Sequence, residues 1–242
     1  MPLRYTISIV AEPDDTKVLR VAEREIPLLV SRNPRARRIS ISFDGGGSVR
    51  LTLPRRTSLR QGLDFAEDKA NWILGHLNAL PKRVPFEDGA VLPLLGADHV
   101  IRHQPAARRG VWCADGAIRV SGQREHLHRR VCDFLKAEAR GEITRRAKEK
   151  AGIVGRPVRR ITLRDTTSRW GSCTSDGNLS FTWRLILAPE AVLDYVVAHE
   201  IAHLKHMNHG SRFWAVVERL TADVSESRRW LRENGDRLLR YG

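Results

Sequence analysis

A helix that carries His199, Glu200 and His203 and then reverses in time for His209 to come back beside them constrains this chain more than any other feature. The stretch reads HExxH-x5-H. Residues four apart share a helix face, so both imidazoles can reach one point in space. Glu200, next to the first of them, can reach a water held there. Neutral imidazole is a good zinc ligand, and a catalytic site uses three protein ligands with one position left for water. A straight helix cannot close a tetrahedron on itself, so the third ligand arrives from another direction. The chemistry that fits is zinc-dependent hydrolysis of a peptide bond. Zn2+ makes the water acidic, and Glu200 as general base takes its proton and returns it to the leaving amine.

His209 is the expected third ligand. Glu218 on the following helix is the rival, since zinc also accepts carboxylates. The chain must turn between His203 and His209. Three residues after the second histidine, where extended motifs of this spacing often place glycine, stands His206; it and Asn208 are the candidates for a left-handed residue. His206 is read as a turn or surface histidine, not a ligand.

The length of 242 residues allows one large domain or two modest ones. A hydrophobic fraction of 41% with no low-complexity tract indicates a globular chain. The opening MPLRYTISIVAEPDD has no apolar stretch of secretory length, and no segment approaches the length of a membrane span. Cys113, Cys132 and Cys173 cannot all pair and show no C-x-x-C spacing, so a reducing cytoplasm is expected. The net charge is +14 and the pI about 10.7. Such a field attracts polyanions, so nucleic-acid association is a second expectation beside a protein or peptide substrate. No helix-turn-helix, zinc-finger or RNP signature accompanies it. Oligomeric state is not legible.

Alternation over Arg38–Phe43 and Ser48–Leu53 about Asp44-Gly45-Gly46-Gly47 predicts a hairpin. Residues 57–79 read as one helix from Thr57 or Ser58, stopped by Pro81. Residues 85–121 read as short strands broken by Gly89, Gly96, Gly110 and Gly116. Residues 1–121 are therefore read as a β-rich accessory region and 122–242 as the catalytic core. The core opens on a long helix over 122–151, with Leu127, Val131, Phe134, Leu135, Ala139 and Ile143 at helical spacing. Strands follow at 158–164 and 178–183. The motif helix begins at Pro189 and runs to about Lys205, with Leu193, Val197, Ile201 and Leu204 buried. Helices near 211–222 and 226–239 take Ser211 and Ser225 as N-caps.

Asp194 to His209 with Phe213-Trp214 after it, and Arg169-Trp170-Gly171-Ser172-Cys173 followed by Asn178 to Leu185, resemble the YgjP-like family of zinc metallopeptidases. The resemblance is firmest over about 160–220. It implies an α+β fold with a zincin-like, SprT-related catalytic core: a long helix, a small sheet and the HExxH helix beside it. It further implies that the strand before the motif helix, at 178–184, lines the substrate cleft and offers an edge for strand addition. Some SprT-like and WLM-type relatives act on DNA-attached proteins, which would give the charge a purpose. Met1 and Met207 are the only methionines, and no metzincin Met-turn is recognised.

Trp170-Gly171-Ser172-Cys173 is read as a tight turn with an aromatic on the core, the alternative being a wall of the cleft with Cys173 approaching the metal as thiolate. Phe213 and Trp214 are expected behind the site. A different class of protein, a nucleic-acid binder with a structural zinc, would need a fourth protein ligand from Cys173 or His206.

Overall fold

The computed structural model describes residues 9–11, 16–21, 24–43, 49–79, 83–166 and 169–242. They form two compact units, Met1–Lys82 and Arg83–Gly242. The expected division after residue 121 is therefore moved: the strands over 91–120 share one apolar core with the long helix, through Leu92, Ile101, Ile118 and Val120. The Asp44-Gly45-Gly46-Gly47 turn and Pro81 lie outside the described residues.

In the first unit, β1 (Ile9–Ala11), β2 (Thr16–Val21), β3 (Arg24–Arg32), β4 (Ser40–Phe43) and β5 (Val49–Leu53) form one sheet in the order β1-β2-β3-β5-β4. The hairpin read from alternation is present, with Phe43 opposite Val49 and Ser40 opposite Thr52. Val49, Leu51 and Leu53 point to one face and are buried with Leu19, Ile26 and Leu28. The expected single helix is two, α1 (Leu59–Asp68) and α2 (Ala70–Ala79), broken at Lys69. The break lets α2 bury Ala70 and Ile73 in the same core. Ser58 caps α1 in a capping box with Gln61.

In the second unit, β6 (Val91–Leu94), β7 (Ala97–His103), β8 (Val111–Ala114) and β9 (Ala117–Val120) form a sheet in the order β6-β7-β9-β8. Its two hairpins turn on Leu95-Gly96 and Asp115-Gly116, all four residues with positive φ, the mirror-image turn that suits twisted strands. A short 3-10 turn leads into α3 (Leu127–Val154), 28 residues long. Leu127, Val131, Leu135, Ala139, Ile143 and Ala147 recur every fourth residue and make its buried stripe. Gly155, left-handed, ends it.

The third sheet sets the site. It contains β10 (Arg160–Arg164), β11 (Gly171–Cys173) and β12 (Asn178–Thr182), in the order β10-β12-β11. A 3-10 helix, Trp183–Leu187, then leads into α4 (Glu190–Ala202), α5 (Ser211–Leu220) and α6 (Val224–Leu238). The expected α+β core is thus present: long helix, small sheet, motif helix. Gly210 rather than Ser211 is the N-cap of α5, and left-handed Asp223 rather than Ser225 is that of α6. Among the described residues, no helix is long and apolar enough to cross a membrane.

Candidate metal centre

The motif helix is apolar on almost every side, and α4 is accordingly buried on almost every side: Leu193, Val196, Val197, Ala198 and Ile201 all lie in the core. Its polar residues are therefore costly, and Asp194 is met by several partners. Asp194 faces α3, where Lys150 Nζ lies 2.9 and 3.0 Å from its two carboxylate oxygens, and the Thr221 hydroxyl donates to it at 2.7 Å. Lys150 also donates to the carbonyl of Leu220 at 2.6 Å. This buried cluster ties α3, α4 and the end of α5 together one turn ahead of the histidines.

The helix ends at Ala202, and His203 is its C-cap. The chain then reverses through a turn in which the N–H groups of Lys205 and His206 both donate to Ala202 O. The expected left-handed residue is absent: neither His206 nor Asn208 has positive φ. A frayed last turn, with Gly210 N–H donating to Asn208 O, turns the chain without that strain.

The reversal brings His199, His203 and His209 together, with one ligand-type nitrogen from each lying within 4.8 Å of the others. His199 Nε2 and His209 Nε2 are 3.1 Å apart. His203 Nδ1 faces the carbonyl of His206 at 3.1 Å, so an Nδ1–H tautomer donates there and turns a bare Nε2 inward. His206 thus acts through its backbone. Glu218 is exposed on α5 and is not part of the cluster; nor are Cys173 and His206. Phe213, fully buried, lies beneath all three imidazoles, its ring centre 4.9, 4.6 and 4.7 Å from those of His199, His203 and His209. It is the anchor expected behind the site.

The donor set fits zinc. Three imidazole nitrogens at tetrahedral zinc distances stand ~3.3 Å apart, close to the 3.1 Å of His199 and His209. Burial holds His199 down to about pKa 4, helped by His203, His209 and Arg228, so its ring is neutral and its lone pair free. Burial lowers His203 likewise.

Glu200 is 6% exposed. Burial pushes its carboxyl up to about 7, against the pull of Arg169. Gly171 accounts for how close β11 comes: a β-carbon there would stand 2.6 Å from Glu200 Cγ and Oε1. Gly171–Cys173 is therefore a strand and not the expected turn, and its glycine is required by the approach to Glu200. Trp170 packs on α6 in the same way, at Gly235. Burial, and then Glu200, push the Cys173 thiol up to about 11, so it is held as thiol.

The sheet order also revises the expectation of an open edge at 178–184. Strand β12 is central, parallel to β10 through Ile161–Leu179 and antiparallel to β11 through Ser172–Ser180, so its hydrogen-bonding groups are engaged on both sides. Among the described residues, the strand beside Glu200 with a single neighbour is β11. Two further groups border the histidines: Tyr195, which its chemistry already marks as a candidate oxyanion donor, and Arg228. The Tyr195 ring meets that of His199 edge-on at 6.0 Å. Arg228 of α6 lies 4.8 Å above the Trp214 ring, itself 5.9 Å from His199.

A mixed α+β domain that gathers three imidazoles beside a buried glutamate on one helix has the layout of a metal-dependent hydrolase. The chain belongs to the YgjP-like family, whose metallopeptidase-domain model matches residues 37–234. A solved structure similar to part of it is the metallopeptidase zymogen of Pyrococcus abyssi abylysin, at 20% identity and a TM-score of 0.34, over 38% of this chain and 93% of that one. Comparison with curated proteins finds no match.

Proposed function

We propose that this chain is a zinc-dependent peptidase in which His199, His203 and His209 hold the metal and Glu200 is the general base. The observation that carries the reading is the convergence of three imidazole nitrogens beside a buried carboxyl. The chemistry a zinc ion supplies in such a cradle is Lewis acidity, which makes a water acidic near neutral pH and polarises the carbonyl it faces.

The chain's own residues do the rest. Glu200 takes the proton of the attacking water and holds it out of solvent. It then delivers it to the departing amine nitrogen. His206 O keeps the His203 ring in its ligand tautomer. The free edge of β11 receives an extended peptide by strand addition, which lays the scissile bond along the strand that touches Glu200. The Tyr195 hydroxyl and the Arg228 guanidinium are the donors bordering the histidines that can serve the developing oxyanion. A structural zinc is less well supported, because neither Cys173 nor His206 joins the cluster as a fourth ligand.

The test is chelation and reloading. Cleavage of an unfolded protein should vanish with removal of the metal and return with one equivalent of zinc. His209→Ala should bind zinc more weakly and Glu218→Ala should not; the reverse result would replace the third ligand.

A further inference from the structure

The first unit carries a charge that the metal centre does not use. Between Arg32 and Arg60 stand eight arginines and one acid, Asp44, a net +7 that is half of the chain's +14. The fold gathers most of them at one end of the sheet. Strands β3 and β5 run parallel and finish level, Arg32 opposite Leu53, so the loops that follow them lie side by side. Asn33 N–H donates to Leu53 O, and Arg32 donates to the carbonyls of Arg55 and Thr57, clamping one loop on the other. The first loop presents Arg35, Arg37 and Arg38, and the second Arg55 and Arg56; Arg60 follows in the first turn of α1, and all are exposed. That turn contains no acid to offset the positive end of the helix.

Among the described residues, none of these six side chains has a carboxylate partner. On α3, by contrast, Arg129 pairs with Asp133, and Arg145 with Glu142 and Glu149. Like charges crowded within a Debye length of about 8–10 Å repel one another. Their concentration in two clamped loops is destabilising unless an anion relieves it.

At the other end of β4, about 10 Å away for a strand rising roughly 3.3 Å per residue, lies an aromatic group. Phe43 stacks on His76 at 4.0 Å and meets Trp72 at 5.4 Å. Trp72 is 52% exposed. Arginines that follow a backbone, next to an open aromatic face, are the pairing that unpaired bases recognise.

We propose that the first unit binds single-stranded nucleic acid, the arginine loops taking the phosphates and Trp72 stacking on a base. This site is separate from the peptidase reading and does not depend on it. The test is fluorescence anisotropy of the full-length chain with a labelled oligothymidylate over a salt series. Wild type should bind, with affinity falling steeply as salt rises. Replacing Arg37, Arg38, Arg55 and Arg56 together by Gln should weaken binding at least ~tenfold and reduce the log–log salt slope by about 3, at roughly 0.7 per lost phosphate contact. Replacing Arg124, Arg140, Arg156 and Arg232 by Gln removes the same charge elsewhere and should leave most of the affinity. Trp72→Ala should weaken binding about tenfold with the slope unchanged. Thermal melts of each variant check folding. Equal losses in the two arginine variants would overturn the proposal in favour of diffuse attraction. So would absence of binding by wild type, or binding to phosphatidylserine vesicles but not to the oligonucleotide. Unchanged affinity in Trp72→Ala would overturn the single-stranded assignment.

Discussion

Gly171→Ala should disable the site without emptying it. The new methyl would stand 2.6 Å from both Cγ and Oε1 of Glu200. Ordinary contact begins near 3.4 Å, so one side must yield by roughly 0.8 Å. The backbone of β11 is held in register by Phe181 and Ser180, so the glutamate moves. Overpacking of this kind costs about 1–3 kcal/mol, offset by ~0.4–1 kcal/mol because alanine restricts the unfolded chain more than glycine. The net loss of stability should be about 1–2 kcal/mol. Displacement of a catalytic group by about 1 Å costs on the order of a hundredfold in rate. The three atoms nearest the new methyl all belong to Glu200, so zinc content should be unchanged. The assay is kcat/KM on an unfolded protein substrate, with metal content and urea denaturation on the same preparation. Activity within about threefold of wild type, at full zinc, would refute the claim that β11 positions Glu200.

Two further outcomes follow from the burial of charge. In the metal-free chain the Glu200 carboxyl titrates near 7 when folded and near 4.5 otherwise, so the folded state binds the extra proton between these values. Stability from this group is present below pH 4.5 and lost as pH rises through 7. Glu200→Gln should therefore gain about 2–3 kcal/mol on metal-free wild type between pH 5 and pH 8, at 1.36 kcal/mol per unit, read from urea midpoints; a difference independent of pH would contradict it. His199 has the opposite slope but is common to both chains. Asp194→Ala leaves Lys150 and Arg146, 4% exposed, without this carboxylate. It should cost ~3–5 kcal/mol and loosen zinc binding through α4; a thermal midpoint near wild type would show the cluster to be dispensable.

The histidine cluster was readable because helical spacing is a local property: His199 and His203 four apart state their own geometry, and His209 needs only a turn. The α3 stripe at every fourth residue was readable for the same reason. What escaped was set by tertiary approach. Gly171-Ser172-Cys173 has the composition of a turn, and only contact with Glu200 explains why the glycine lies in a strand. The break at Lys69 has no glycine or proline to announce it and follows from burial of Ala70 and Ile73. The strands over 91–120 looked accessory because they carry no motif, yet Ile101 and Ile118 complete the core shared with α3. The resemblance put an open strand edge at β12, whereas the sheet order places β12 between β10 and β11.

The most direct test of the central claim measures zinc content and proteolysis of an unfolded protein by wild type and Glu200→Gln side by side. The account predicts one zinc per chain in both and cleavage by wild type alone. Absence of zinc from wild type even after reloading, or undiminished cleavage by Glu200→Gln, would contradict it.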